Sequence, residues 1–280
     1  MHNNPLNPLN EKNFFFCFGL PKSGTTFLQL ILDSHPKIQC PPEVSFTYLL
    51  EEFPKMMDKF NNISLEFNDH KGLPREKVQI LDKKFVLYEL RNLVLNILKK
   101  NIKNNSNYFG AKDNGISKNF THWFNLFNKE KFIGIVRDPR QVSISMWHHN
   151  LRVAGEEWKK KFTFKDVLTS TFNHFNENFF LISEIEKNHK NRLLLIKYED
   201  LREGNIEILK KIFNFLGINI DKSMLHEIYK KNHFSKYKDG KFFRNGEAEE
   251  WRKQIDKKLL RHVTTQQTKN LLDIFNYPQM

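Results

Sequence analysis

The residues with the most chemical character stand near the start of the chain, in FGLPKSGTT, Phe18 to Thr26. Gly19 and Gly24 stand at the spacing of the P-loop pattern G-x-x-x-x-G-K-S/T. Thr25, however, occupies the place of the P-loop lysine, and the basic residue sits inside the loop as Lys22. Successive backbone N–H groups, the positive end of a helix dipole and the hydroxyls of Ser23, Thr25 and Thr26 still make an anion cradle. A lysine at that altered position is not placed to reach β/γ-phosphates, which argues against a small-molecule kinase. That alternative would also need a carboxylate for Mg²⁺ on the third strand, and none stands at the expected site.

A second constellation lies in IGIVRDPRQVSISMWHH. Arg137 ends an apolar run, Pro139 suits the first turn of a helix, and Ser145 follows Arg137 by eight residues. An arginine at the carboxyl end of a strand, with a hydroxyl two turns into the next helix, can clamp a phosphate. The competing reading is an Arg137–Asp138 ion pair ahead of a proline-initiated helix.

Positioning these groups requires strands that end where helices begin. Continuous apolar runs predict buried parallel strands over Asn13–Phe18, Asn107–Ala111, Lys131–Val136 and Arg192–Lys197. Helical periodicity falls between them, over Thr25–Ser34, Lys83–Lys100, Ser117–Phe127, Pro139–His149, Lys165–Lys187 and Asn205–Phe215, with Gly217 as a left-handed cap. The expectation is an α/β fold: three layers, P-loop-like, with a central parallel β-sheet flanked by helices. His148 and His149 fall in a helix beside Trp147 and read as packing or substrate-wall residues, His35 as a cap or core residue, and Phe172–Phe180 as core.

The two constellations together resemble the sulfotransferases that use 3′-phosphoadenosine 5′-phosphosulfate (PAPS). In that family the strand–PKSGTT–helix loop holds the 5′-phosphosulfate, and an Arg…Ser pair at the RDPRQVSIS spacing holds the 3′-phosphate. The resemblance thereby implies cofactor roles for Lys22, Ser23, Gly24, Thr25, Thr26, Arg137 and Ser145. FFRNGEAEEW resembles the family's closing loop over the 3′-phosphate and adenine. Arg244, Gly246 and Trp251 match it, whereas Asn245 replaces a lysine and Glu249–Glu250 replace Gly–Asp. LLLIKYEDL and KNHFSKYK resemble the segments whose aromatics lie by the adenine, implying Tyr198 and Phe234. The likeness runs from Phe14 to about Ile255, with 11–255 as the motif-bearing core of a single domain over 1–280 and 256–280 as a C-terminal helix.

The catalytic group differs between branches of the family. GAKDNG lacks the histidine of the cytosolic branch after the second strand. LDSHPKIQCPPEVSF instead resembles the tyrosylprotein and glycan-type branch, in which a glutamate is the base. The resemblance implies Glu43 as base, with Lys112 and Lys22 as cations on the transferring group, PAPS as donor, PAP as product and no metal. The acceptor is expected to be a small molecule, glycan or peptide carrying a hydroxyl or amine.

Composition bounds these readings. The chain has 280 residues with a formal net charge of +13, from 45 basic and 32 acidic residues. The lysines are scattered, so the charge reads as solvated surface, and a nucleic-acid-binding module lacks a recognisable motif. Two cysteines exclude a disulfide scaffold. Without a run long enough for a membrane helix, the expectation is a cytoplasmic protein with no membrane span.

Overall fold

The computed structural model describes residues 13–72, 74–75, 78–100, 106–232 and 250–279. Phe234, Arg244 and Gly246, with the loop that carries them, lie outside these residues.

In chain order the elements are β1 (Phe14–Gly19), α1 (Thr25–Asp33), β2 (Ile38–Gln39), α2 (Phe46–His70), α3 (Lys83–Lys100), β3 (Tyr108–Lys112), a 3₁₀ turn (Asn114–Ser117), α4 (Phe120–Leu126), β4 (Lys131–Val136), α5 (Pro139–Ala154) and α6 (Glu157–Lys161). There follow α7 (Phe164–Asn188), β5 (Leu193–Lys197), α8 (Tyr198–Arg202), α9 (Ile206–Leu216), α10 (Lys222–Asn232), α11 (Trp251–Gln254), α12 (Lys257–Val263) and α13 (Gln266–Ile274). The five strands form one parallel sheet in the order β2-β3-β1-β4-β5.

The strand β1 shows why the sheet lies between two helical layers. Its side chains alternate, and both sets are buried. Phe14, Phe16 and Phe18 enter one apolar cluster with residues of α3, α4, α7 and α13. Phe15 and Cys17 enter the other, with α1, α9 and α10. A smaller cluster joins α5, α7, α11 and α12. The three-layer expectation holds.

Register decides what meets at the sheet's carboxyl edge. Cys17 pairs with Lys112, Gly19 with Ile135, and Val136 with Lys197. The loop after β1, Lys112 of β3, Arg137 after β4 and Tyr198 after β5 therefore emerge side by side. Among the described residues no helix is long and apolar enough to cross a membrane.

Several boundaries differ from the sequence reading, each for a local reason. The helix expected over Ser117–Phe127 begins at Phe120, because the Asp113 carboxylate accepts from Gly115 N and holds a 3₁₀ turn first. The helix expected to stop at His149 runs on to Ala154, where Gly155 at φ 69° ends it. The segment 256–280 forms two helices where one was expected. Thr265 caps the second through a reciprocal capping box with Thr268. The 25-residue α2, with Pro54 inside it, was not anticipated.

Candidate active site

The loop from Gly19 to Gly24 wraps tightly before α1. Ser23 N donates to Leu20 O at 3.0 Å and Leu28 N to Gly24 O at 3.0 Å. Gly24 has φ 100°, and a Cβ there would overlap the Tyr198 ring, so the loop admits only glycine at this point. Lys22 at the loop tip also lies in the left-handed region, at φ 72°. A non-glycine residue held there is backbone strain concentrated at a loop of chemical interest.

Arg137 is not paired with Asp138. Asp138 instead receives the Arg140 guanidinium, at 2.8 Å from Nε and 2.6 Å from Nη2, and caps α5 through Arg140 N. Arg140 also donates to Pro278 O at 2.8 Å and lies 3.8 Å from the Trp251 ring centroid. Trp251 is thus fixed, buried, at the start of α11. Arg137 is left to turn toward the loop. Its Nη1 donates to Lys22 O at 3.0 Å, and its guanidinium lies 4.4 Å from the Tyr198 ring centroid. Ser145 lies two turns into α5 and is half-buried.

Lys112 emerges from β3 almost wholly buried, with Nζ 3.0 Å from Glu43 Oε2 and 3.3 Å from Thr26 Oγ1. Glu43 itself remains 45% exposed. The segment that carries it is stitched to the end of β3. Val44 N donates to Lys112 O at 3.1 Å, and the Thr47 amide and hydroxyl donate to Asp113 Oδ2 at 2.7 and 2.9 Å. Burial raises the Asp113 carboxyl above its ordinary value against the pull of those bonds. Glu43 therefore precedes α2 by three residues and faces Lys112.

The electrostatics single out Lys22. Burial lowers its pKa first, and the positive charges of Arg152, Arg137 and Lys112 lower it further. Arg152 escaped the sequence reading. With Ser145 and His149 it falls at i, i+4 and i+7 on one face of α5, and its Nη2 is 3.1 Å from His149 Nδ1. His149 is lowered by burial and then by Lys22 and Arg152. It belongs to the electrostatic field around the loop. Periodicity of α5 beyond His149 was the signal that could have found Arg152. His35 behaves as expected: it is buried, accepts from Lys37 N at 3.2 Å and packs on Phe213. Phe172, Phe175 and Phe179 are core.

Two hydrophilic atoms fit an oxygen-rich anion here. Ser23 Oγ and Arg137 Nε are buried and have no hydrogen-bond partner among the described residues. Beside the loop opens a cleft of about 740 Å³, lined by Leu20, Pro21, Met146, Trp158 and Phe162 on its apolar side and by Glu51, Asn150 and His174 among its polar groups.

A parallel sheet whose carboxyl edge gathers a glycine-containing strand–helix loop and several cations is the arrangement that phosphate-binding α/β proteins use. Residues 15–222 match the Sulfotransferase family. The chain belongs to that family, as the motif resemblance implied.

Among curated relatives it is 26% identical over 216 residues to protein-tyrosine sulfotransferase 2 of Gallus gallus, covering 77% of this chain and 54% of the relative. It is 25% identical over 211 residues to protein-tyrosine sulfotransferase 1 of Danio rerio, covering 75% and 55%. The chain thus spans about half the length of these relatives. Its fold is similar to that of mouse sulfotransferase SULT7A1 complexed with PAP, with a TM-score of 0.59 at 17% identity over 95% of this chain and 86% of that one. The sulfotransferase domain of the Synechococcus PCC 7002 olefin synthase gives 0.54 at 18% identity, over 95% of both chains.

Proposed function

We propose that this protein transfers a sulfuryl group from PAPS to a hydroxyl of an acceptor and releases PAP. The observation that carries the reading is the convergence of Lys22, Arg137, Arg152 and Lys112 on one loop at a helix N-terminus, strongly enough that each of the others depresses Lys22. Family membership and the PAP named with the mouse neighbour support the choice of anion. When bound, the donor supplies an activated sulfuryl group on a phosphate leaving group.

The chain's own residues then divide the work. Lys22, Ser23, Thr25, Thr26 and the loop amides hold the 5′ end, and Arg137 with Ser145 holds the 3′-phosphate. Tyr198, buried beside Arg137 and Gly24, braces that arginine against the loop on the side assigned to the adenine. Lys112 orients the Glu43 carboxylate from a buried position, and Glu43 is exposed enough for an acceptor hydroxyl to reach it. Glu43 takes that hydroxyl's proton, while Lys112 and Lys22 stabilise negative charge on the oxygens of the transferring group. The cleft beside Leu20 and Pro21 has apolar and polar walls, which suits a small-molecule, glycan or peptide acceptor of mixed polarity.

Labelled sulfate transfer from PAPS to a panel of glycans, peptides and small alcohols tests the assignment. Glu43→Gln is expected to cut turnover roughly 10²–10⁴-fold, the range for a lost general base, with PAP affinity retained. Full turnover by Glu43→Gln on an acceptor that the parent enzyme sulfates would remove Glu43 from the mechanism.

A further inference from the structure

The end of α13 aims one side chain at the carboxyl edge of the sheet. Asn276 takes the left-handed conformation there, at φ 51°, which asparagine tolerates better than most residues. Its amide donates to Asp273 O at 3.0 Å, and Tyr277 N donates to Leu272 O at 2.7 Å, the paired bonds of a Schellman turn. The carbonyls on either side of Tyr277 are then fastened in turn. Asn276 O accepts from Lys197 Nζ of β5 at 3.3 Å, and Pro278 O from Arg140 Nη2 of α5 at 2.8 Å.

Tyr277 is 6% exposed, and its hydroxyl lies 3.2 Å from Val136 O and 2.9 Å from Glu199 Oε2. The first contact holds the peptide that launches Arg137 from β4. The second holds the first turn of α8 beside Tyr198, the ring on which the Arg137 guanidinium lies. One hydroxyl thus braces both supports of that arginine.

A phenol carries one proton, and the Val136 carbonyl can only accept. Both bonds therefore close together when the Glu199 carboxyl supplies the second proton. The surroundings agree. Burial raises the Glu199 carboxyl above its ordinary value, and the Asp138 charge adds to this, against the pull of its own amide, the Tyr277 hydroxyl and Arg137. Lys197, Arg202 and Glu203 also line the cavity of about 430 Å³ that Arg137 and Glu199 share. An ionised Glu199 would compete there with a phosphate for Arg137, whereas a protonated one leaves that charge to the ligand.

We propose that Tyr277 and Glu199 are positioning residues for the nucleotide's 3′-phosphate, which rests on the nucleotide reading above. Tyr277 holds the Val136–Arg137 peptide in place, and protonated Glu199 keeps Arg137 from an internal carboxylate. Calorimetric titration of the full chain with PAP across a range of pH tests this. Tyr277→Phe keeps the ring, and is expected to bind PAP about 3- to 10-fold more weakly with unchanged circular dichroism. Glu199→Gln mimics the protonated carboxyl. Its PAP affinity relative to the parent is expected to rise with pH, as the parent's carboxyl ionises and its own affinity falls. Lys22 is common to both chains, so its titration cancels in that ratio. A Tyr277→Phe protein that binds PAP as the parent does, whatever its stability, would overturn the proposal. So would a ratio that stays level with pH. A parent without affinity for PAP would overturn this proposal and the nucleotide reading together.

Discussion

Lys22 joins the strain, the charge and the proposed chemistry in one side chain. Burial and three nearby cations push its ammonium below the ordinary 10.5. An anion bound beside it favours the protonated form and draws the pKa back up. Binding therefore takes up protons between the depressed value and the restored one, and affinity falls as pH rises through that window. Calorimetry at alkaline pH, in buffers of different ionisation enthalpy, should register this uptake for PAP, and Lys22→Ala should lose it. Equal heats in all buffers would show that Lys22 does not sense the ligand. The residue's type and place were legible in the sequence because a strand–helix loop is a local object. Its left-handed φ was not, since no glycine or asparagine announces it.

At the scale of elements, the site depends on how α2 is tied to β3. Asp113 accepts from the Thr47 amide, the Thr47 hydroxyl and Gly115 N, at 2.7, 2.9 and 2.8 Å. These bonds anchor the segment that begins with Glu43. Asp113→Ala leaves buried donors unmatched and should cost about 3 kcal/mol of stability. It should also lower kcat more than PAP affinity, because Glu43 drifts while the β1–α1 loop stays. Chemical denaturation with a turnover assay checks both effects. The sequence revealed four of the five strands, because their apolar runs are continuous, and most of the long helices between them; it missed β2, only two residues long, and short helices such as α6 and α8. It concealed α2, whose seam is apolar yet faces outward and whose Pro54 reads as a break. It shortened α5, and with those five residues Arg152 went unseen.

For the whole molecule, the net charge of +13 divides into unlike parts. Helix α2 is acidic, α3 is basic, and only a few cations reach the carboxyl edge of the sheet. The order of the strands could not be read from the sequence, and it is the register of the sheet that places Lys112, Arg137 and Tyr198 around one loop. The central claim is that this ring of charge is built for a nucleotide with phosphates at both its 3′ and 5′ positions. Calorimetric titration of the full chain with PAP in EDTA, beside ATP with Mg²⁺, tests it most directly. PAP should bind without metal and better than ATP, and Arg137→Ala should weaken it about 10- to 150-fold, the range for a lost charge-assisted contact. Tighter binding of ATP with Mg²⁺, or PAP affinity indifferent to Arg137→Ala, would contradict it.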